Sequence, residues 1–299
     1  MRIHKKICHS MCSLLAMVAL VALPQPSIAA EVVTEAPVKM ITEMLYPTVM
    51  VDTGKGVGSG TVIFSAARTH ESWKDEKIWS LVLTNHHVIR DAISISEDFD
   101  PKKGKSIQSE TRRPVHVRIW DYNDYSTAVG TTGRVGRILA WDKNRDLALL
   151  RLDDKERVLK NVATFWPEDV GGPYLFQQTW AVGSGMGNPP YPTEGLLSGI
   201  AGKDQHGRPL YLSSSPIIFG NSGGSLWAHS AKRDKYEMIG VPSMVGAYGW
   251  GVAITHIAWS RPISEIRAFL RENEYGFVVG DKDTAKKDPE DDDKKDDDD

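Results

Sequence analysis

Gly220-Asn221-Ser222-Gly223-Gly224 is the stretch on which the reading of this chain turns. A serine hydroxyl is a poor nucleophile at neutral pH. It becomes a good one when a histidine takes its proton and a buried carboxylate orients that histidine. Two upstream stretches offer such partners: Thr84-Asn85-His86-His87-Val88 and Asn144-Arg145-Asp146-Leu147-Ala148-Leu149-Leu150. Developing charge on an attacked carbonyl oxygen also needs converging backbone N–H groups, and a turn that aims them inward demands backbone angles that glycine tolerates. The glycines flanking Ser222 meet that demand.

Working outward, the pattern is mostly strands. Pro47-Thr48-Val49-Met50-Val51 and Gly60-Thr61-Val62-Ile63-Phe64 read as a first pair around a Gly-rich turn. Ile78 to Thr84 is a strong apolar strand, and Val115 to Trp120 alternates with period two. Leu147 to Leu152, Thr179 to Gly183, Pro209 to Leu212, Met238 to Val241 and Gly251 to Thr255 follow. Short strands punctuated by Gly and Pro predict an all-β barrel or sandwich. A short helix is expected over 34–45. A closing helix is expected over 262–271, started by Pro262, with Ile263, Ile266, Phe269 and Leu270 as an apolar stripe at helical spacing. Residues 66–77 and 94–113 read as exposed loops, and 154–174 as a softer stretch dividing two groups of strands.

The chain has 299 residues, enough for a sizeable core. Arg2, Lys5 and Lys6, the apolar run Met11 to Leu23, and the small residues Ser27-Ile28-Ala29-Ala30 read as a secretory leader over residues 1–29. The apolar run falls short of the roughly 20 residues that span a bilayer, and no other stretch is long and apolar enough. An exported protein, periplasmic or secreted, without stable membrane insertion is the expectation. Both cysteines, Cys8 and Cys12, lie in that leader, so neither a disulfide nor a thiolate metal site is expected in the remainder. The net charge of −3 combines +3 in the leader, −6 in residues 281–299 and a neutral body. No basic excess points to nucleic acid. Residues 276–299, ending in an Asp-rich run, read as a disordered acidic tail.

Four motifs now stand in order: Gly58-Ser59-Gly60-Thr61-Val62-Ile63, Leu83-Thr84-Asn85-His86-His87-Val88, Arg145-Asp146-Leu147-Ala148-Leu149-Leu150, and Gly220-Asn221-Ser222-Gly223-Gly224. In this the chain resembles the trypsin-like serine proteases of the chymotrypsin fold, in style the bacterial HtrA-type branch without a PDZ domain. The resemblance covers about residues 45–270. It implies a protease domain over 31–275 with two antiparallel six-stranded β-barrels, at about 45–155 and 172–260, and a triad at their junction. It further implies a serine endopeptidase that acts on polypeptides through an acyl-enzyme, with His87 as base, Asp146 as its orienting carboxylate and Ser222 as nucleophile. His86 is the competing base and Asp142 the fallback acid. The resemblance places the oxyanion hole at Gly220, Asn221 and Ser222, with the N–H groups of Gly220 and Ser222 aimed inward. It places the specificity pocket near Pro216 and at Val241, Pro242 and Ser243. No Asp or Glu occupies those positions, so a small or medium apolar side chain is the expected preference. Phe219 and Ser225 depart from the branch, which commonly has proline at both positions.

Other chemistry weighs less. Asn188-Pro189-Pro190 forbids the helix that would make Gly183-Ser184-Gly185-Met186-Gly187 a phosphate cradle. His86-His87 has no third ligand at metal spacing, so neither metal nor cofactor is expected. Two alternatives remain. The pentapeptide also satisfies the elbow of an α/β-hydrolase esterase, with Asp234 and His256 downstream as acid and base. A protease-like domain that binds peptides without cleaving them is the second.

Overall fold

The computed structural model describes residues 35–68, 77–100, 104–123, 127–153, 157–249 and 251–282. The expected leader and the acidic run beyond residue 282 lie outside these. The N-terminal helix α1 (Glu35–Met40) runs into a single π-helical turn, Ile41–Leu45. Then come β1 (Thr48–Asp52), β2 (Val57–Arg68), β3 (Lys77–Thr84) and the one-turn helix α2 (His86–Ile89). Next are β4 (Ile93–Asp100), β5 (Lys105–Arg112), β6 (Val115–Asn123), β7 (Thr127–Asp142) and β8 (Leu147–Leu152). After the connection come β9 (Gln178–Gly183), β10 (Tyr191–Lys203), β11 (Pro209–Ser213), β12 (Ser225–Ser230), β13 (Lys235–Tyr248), β14 (Val252–Pro262) and α3 (Ile263–Glu272).

Twelve of these strands close into two antiparallel six-stranded barrels, in the orders β1-β2-β3-β8-β7-β6 and β10-β11-β14-β13-β12-β9. The pleat explains how barrel one also shares a core with barrel two. Side chains alternate faces along a strand. On β8, Ala148, Leu150 and Leu152 fill the interior of barrel one, while Leu147 and Leu149 face the seam. On β3, Val82 points inward while Trp79, Leu81 and Leu83 face the seam. Trp180, Val182, Trp227, Met238 and Val241 of barrel two meet them there. β8 is therefore apolar at every position but Arg151, because both of its faces are buried.

Helix α3 caps that seam. Ile263, Ile266, Phe269 and Leu270 are its buried stripe, spaced as the sequence predicts. Phe269 is fully buried. Phe269→Ala is expected to cost about 3–5 kcal/mol, the usual loss for a large core aromatic, as a lowered urea midpoint. At the other end of the chain, Met44 and Leu45 enter the same cluster, and Glu43 Oε2 accepts the Tyr236 N–H of β13 at 2.8 Å.

Two sequence expectations are corrected. Residues 94–113 are not a loop: β4 and β5 pair along their length as a separate two-stranded sheet. That hairpin exposes Ile95 and Phe99 and is fastened by polar bonds. Arg112 Nη1 donates to the Ile138 and Leu139 carbonyls, and Trp141 Nε1 donates to Glu110 Oε1 at 2.8 Å. With little apolar surface buried, its composition resembles a loop's. Residues 276–282 are not tail. A 3₁₀ turn, Gly276–Val279, packs Phe277 edge-on against Phe64, and Asp281 pairs with Arg271 at 2.9 Å. The α/β-hydrolase reading falls with the fold, since the barrel strands are antiparallel and, among the described residues, strands and helices do not alternate. Asp234 is bonded to Lys39 and His229, not to His256.

Candidate active site

The site lies where four turns converge, at the ends of β3, β7 and β9 and just before β12. β3 ends at Thr84, and the chain turns through buried Asn85 into α2, which begins with His86 and His87. The turn between β7 and β8 carries Asp146 in the left-handed region at φ 55°. Such backbone costs on the order of 1–3 kcal/mol for a non-glycine residue and persists only where neighbours over-determine it. Asn85 Nδ2 donates to the Asp146 carbonyl at 2.7 Å. Asp146 Oδ1 accepts the His87 backbone N–H at 2.9 Å, and Oδ2 lies 2.8 Å from His87 Nδ1. Both carboxylate oxygens are thus spent on one histidine, and the imidazole is left with Nε2 as its outward nitrogen.

The residue before Asp146 holds that turn against α3. Arg145 is 8 % exposed. Its guanidinium donates to Asp142 Oδ2 at 2.8 Å, to Glu265 Oε2 at 3.2 Å and, as a fork, to Glu272 at 2.6 and 2.7 Å. Asp142, the fallback acid, is committed here: its Oδ1 also accepts the Asn144 and Arg145 N–H groups. The Arg145 fork holds the Glu272 carboxyl below its ordinary range. Burial pushes Asp142 up, but the Arg145 N–H and guanidinium outweigh it and leave that carboxyl low as well. Carboxyls depressed in the folded state contribute stability that is complete above the unfolded range, about pH 4.5. That stability is lost as pH falls through the depressed values. The urea midpoint is therefore expected to drop as pH is lowered from about 5 towards 3, and to drop less steeply in Arg145→Met. Equal slopes would refute the assignment.

His86, the competing base, has a different setting. Its ring packs on Trp141 with centroids 5.0 Å apart, and burial lowers its pKa. Asp146 bonds the neighbouring ring, that of His87.

Ser222 sits in the turn preceding β12. Its carbonyl accepts the Ser59 N–H of β2 at 2.8 Å. The close approach of α2 to this turn is measured at Gly58. A Cβ there would meet the Val88 side chain at 2.6 Å and the Ser222 carbonyl oxygen at 3.1 Å. Among the described residues Ser222 Oγ has no hydrogen-bond partner. Such bonds are often long before substrate binds.

The backbone of Gly220 to Gly224 divides cleanly. The Asn221 N–H donates to Ile218 O, that of Gly223 to Pro242 O, and that of Gly224 to Asn221 O. Among the described residues the N–H groups of Gly220 and Ser222 are left without partners. Asn221, expected beside them at the oxyanion hole, has its N–H committed. Its side chain is structural too, Oδ1 accepting the Ile218 N–H at 2.9 Å. Gly220 needs to be glycine twice over. Its φ is +97°, and a Cβ would meet the Ser184 carbonyl oxygen at 2.5 Å and Met186 N at 2.8 Å. Ser225 Oγ accepts the Trp227 Nε1–H at 2.6 Å, which accounts for one departure from proline.

The expected specificity residues scatter. The Val241 side chain is fully buried in the seam, in the cluster that joins the two barrels. Pro242 is buried, and its carbonyl holds the Gly223 N–H. The Pro216 carbonyl accepts Thr193 Oγ1–H at 2.6 Å. Ser243, at a bulge in β13, does line a cavity of about 400 Å³ with Asp146, Lys143, His206, Met244 and Trp259. Among the described residues no group of three His, Cys, Asp or Glu is arranged to hold a metal, and no helix is long and apolar enough to cross a membrane. Arg145, Asn85 and Ser59 are the site's support that motif reading passed over. A charged residue directly before the aspartate was the visible signal for the first.

Comparison with known proteins bears on this geometry. The family model for the trypsin-like peptidase domain matches residues 58–233. Solved structures with a similar fold include an HtrA-type protease, AlgW, with a tripeptide. It is 17 % identical with a TM-score of 0.54, the match covering 82 % of this chain and 64 % of that one. Deg5 is 20 % identical with a TM-score of 0.51, covering 77 % and 90 %. A serine endoprotease from Yersinia pestis is 16 % identical with a TM-score of 0.52, covering 81 % and 67 %. This chain therefore spans under two thirds of the AlgW chain. No curated protein sequence matches it.

Proposed function

Because this chain belongs to the family of trypsin-like peptidase domains, we propose that it is a serine endopeptidase that cleaves polypeptides through an acyl-enzyme, with Ser222, His87 and Asp146 as its triad. The observation that carries the reading is a pairing of two features. One is His87 with Nδ1 on Asp146 and Nε2 turned outward. The other is a five-residue loop in which only the N–H groups of Gly220 and Ser222 lack partners among the described residues.

The chemistry follows from those atoms. His87 Nε2 takes the Ser222 proton as Oγ bonds to the scissile carbonyl carbon. The carbonyl electron pair moves to oxygen, where the Gly220 and Ser222 N–H groups receive the new charge. His87 then returns the proton to the leaving amine as the C–N bond breaks. Water, deprotonated by the same nitrogen, attacks the Ser222 ester, and Oγ recovers its proton. Asp146 stays ionised throughout and stabilises the imidazolium. The substrate has a strand to lie on: β12 pairs with β13 only as far as Gly240, and among the described residues no other strand pairs with that edge of β13 beyond it. An extended peptide laid along it brings its carbonyls past Ser222.

Export completes the proposal, supported by Arg2, Lys5, Lys6 and the apolar run Met11 to Leu23. The test is a fluorophosphonate probe, which phosphonylates an activated serine. Labelling of the wild-type chain together with cleavage of an unfolded protein such as reduced casein is the expected result. A folded chain that does neither is not a peptidase, and the peptide-binding alternative then stands.

A further inference from the structure

Ser59 lies in a Gly-Ser-Gly motif that the reaction above does not use, and it is completely buried. Every polar atom it has is engaged at the seam. Its N–H donates to the Ser222 carbonyl at 2.8 Å, and its carbonyl accepts Thr84 Oγ1–H at 2.7 Å. Its hydroxyl donates to the Gly220 carbonyl at 2.6 Å and accepts the Ser184 N–H at 2.7 Å. One residue of barrel one thus touches the segment leading to His87, the nucleophile's own peptide, the loop carrying Gly220, and the adjoining turn of barrel two.

The hydroxyl is the consequential group. The two unpartnered N–H groups belong to the peptides 219–220 and 221–222. Each of those planar units is held through its carbonyl: Phe219 O accepts the Met186 N–H at 2.7 Å, and Asn221 O accepts the Gly224 N–H at 3.0 Å. In a trans peptide the N–H points opposite to the C=O, so fixing one fixes the other. The peptide between them, 220–221, pivots at Gly220, where glycine offers little torsional resistance. Its N–H is tied within the loop to Ile218 O at 3.0 Å, and its carbonyl is held by Ser59 Oγ, the one side chain among the three carbonyl partners and the one contributed by barrel one. Convergent donors are effective because they are already in place when charge develops.

We infer that Ser59 is a positioning residue for the oxyanion-binding loop: its hydroxyl locks the 220–221 peptide from the opposite barrel, and so aims the Gly220 and Ser222 N–H groups. This rests on the peptidase reading above, and its effect falls on the transition state rather than on substrate binding.

Ser59→Ala tests it through a split of readouts. A peptidyl boronate forms a tetrahedral adduct on Ser222 whose oxygen occupies the anion position, whereas a peptide bound to Ser222→Ala reports ground-state affinity alone. Expected for Ser59→Ala are a kcat lower by about 10- to 100-fold and a boronate affinity lower by a similar factor. This is somewhat less than losing a donor outright, which costs about 10²–10³. KM should stay within about twofold, as should peptide affinity in the Ser59→Ala, Ser222→Ala double variant, because uniform binding is untouched. A folded Ser59→Ala chain whose kcat and boronate affinity match the wild type overturns the inference, and so does a loss shared equally by ground-state peptide binding. Should Ser59→Ala not fold, Ser59→Cys, which keeps a weaker donor and acceptor, is read by the same split. A wild-type chain that neither turns over substrate nor binds the boronate removes the peptidase reading itself, and this inference with it.

Discussion

Ser222→Ala leaves a folded protein whose kcat is lower by about 10⁶, the scale found when the serine of an unrelated hydrolase triad is removed. The alanine removes the attacking oxygen and nothing that holds the loop. The bonds of residue 222 to the rest of the protein run through its backbone, the carbonyl accepting the Ser59 N–H at 2.8 Å. Its Oγ has no partner among the described residues, so no buried acceptor or donor is orphaned by truncation. KM and melting temperature should therefore hold while turnover and fluorophosphonate labelling vanish. A variant that is labelled as fast as the wild type would show that the probe reacts elsewhere, and Ser222 would lose its role. Residual hydrolysis about 10³–10⁴ above water, supplied by binding and the anion site alone, is the floor expected in the assay.

Asp146→Asn is expected to lower kcat by about 10⁴ with little change in KM. The carboxylate accepts from two groups of His87, the backbone N–H at 2.9 Å and Nδ1 at 2.8 Å. An asparagine satisfies the backbone N–H with its Oδ1, which turns Nδ2 towards the ring. Nδ1 must then accept, the proton moves to Nε2, and the nitrogen proposed to take the serine proton has no lone pair for it. The defect is one of tautomer rather than of folding, because the turn remains held by Asn85 and Arg145. Kinetics and the ring ¹⁵N shifts of His87 read the two halves of this argument separately. Activity within tenfold of wild type, with an unchanged tautomer, would remove Asp146 from the mechanism.

The legibility of this chain was uneven, for physical reasons. Strands that bury a face announce themselves by composition: β3, β8 and the α3 stripe were visible because water exclusion dictates their residues. β7, β10 and β12 were not anticipated. β7 and β10 are long, with exposed residues at alternating positions and several glycines, so their pattern is diluted, whereas β12 is short and mixes buried Ser225 and Ser230 with its apolar residues. The β4–β5 hairpin was mistaken for a loop because it pairs with itself and is docked through Arg112 and Glu110 rather than through apolar contact. Val241 was misplaced for a related reason: a strand's period tells which residues share a face, not which face meets the cleft.

What the sequence alone determined is the class of architecture and the three short motifs. Local chemistry dictates both: apolar periodicity sets the strands, and a serine between glycines, a histidine at a strand end and an aspartate before an apolar run can be recognised without neighbours. What only the tertiary structure decided is which of two histidines binds Asp146, which backbone N–H groups in the serine loop remain unspent, and which side chains hold them. Those outcomes depend on hydrogen bonds between residues 59 and 161 positions apart in sequence, such as Asp146 to His87 and Ser59 to Gly220. No local pattern encodes such partners. They are selected when two barrels close on a common core and every buried polar group must find another.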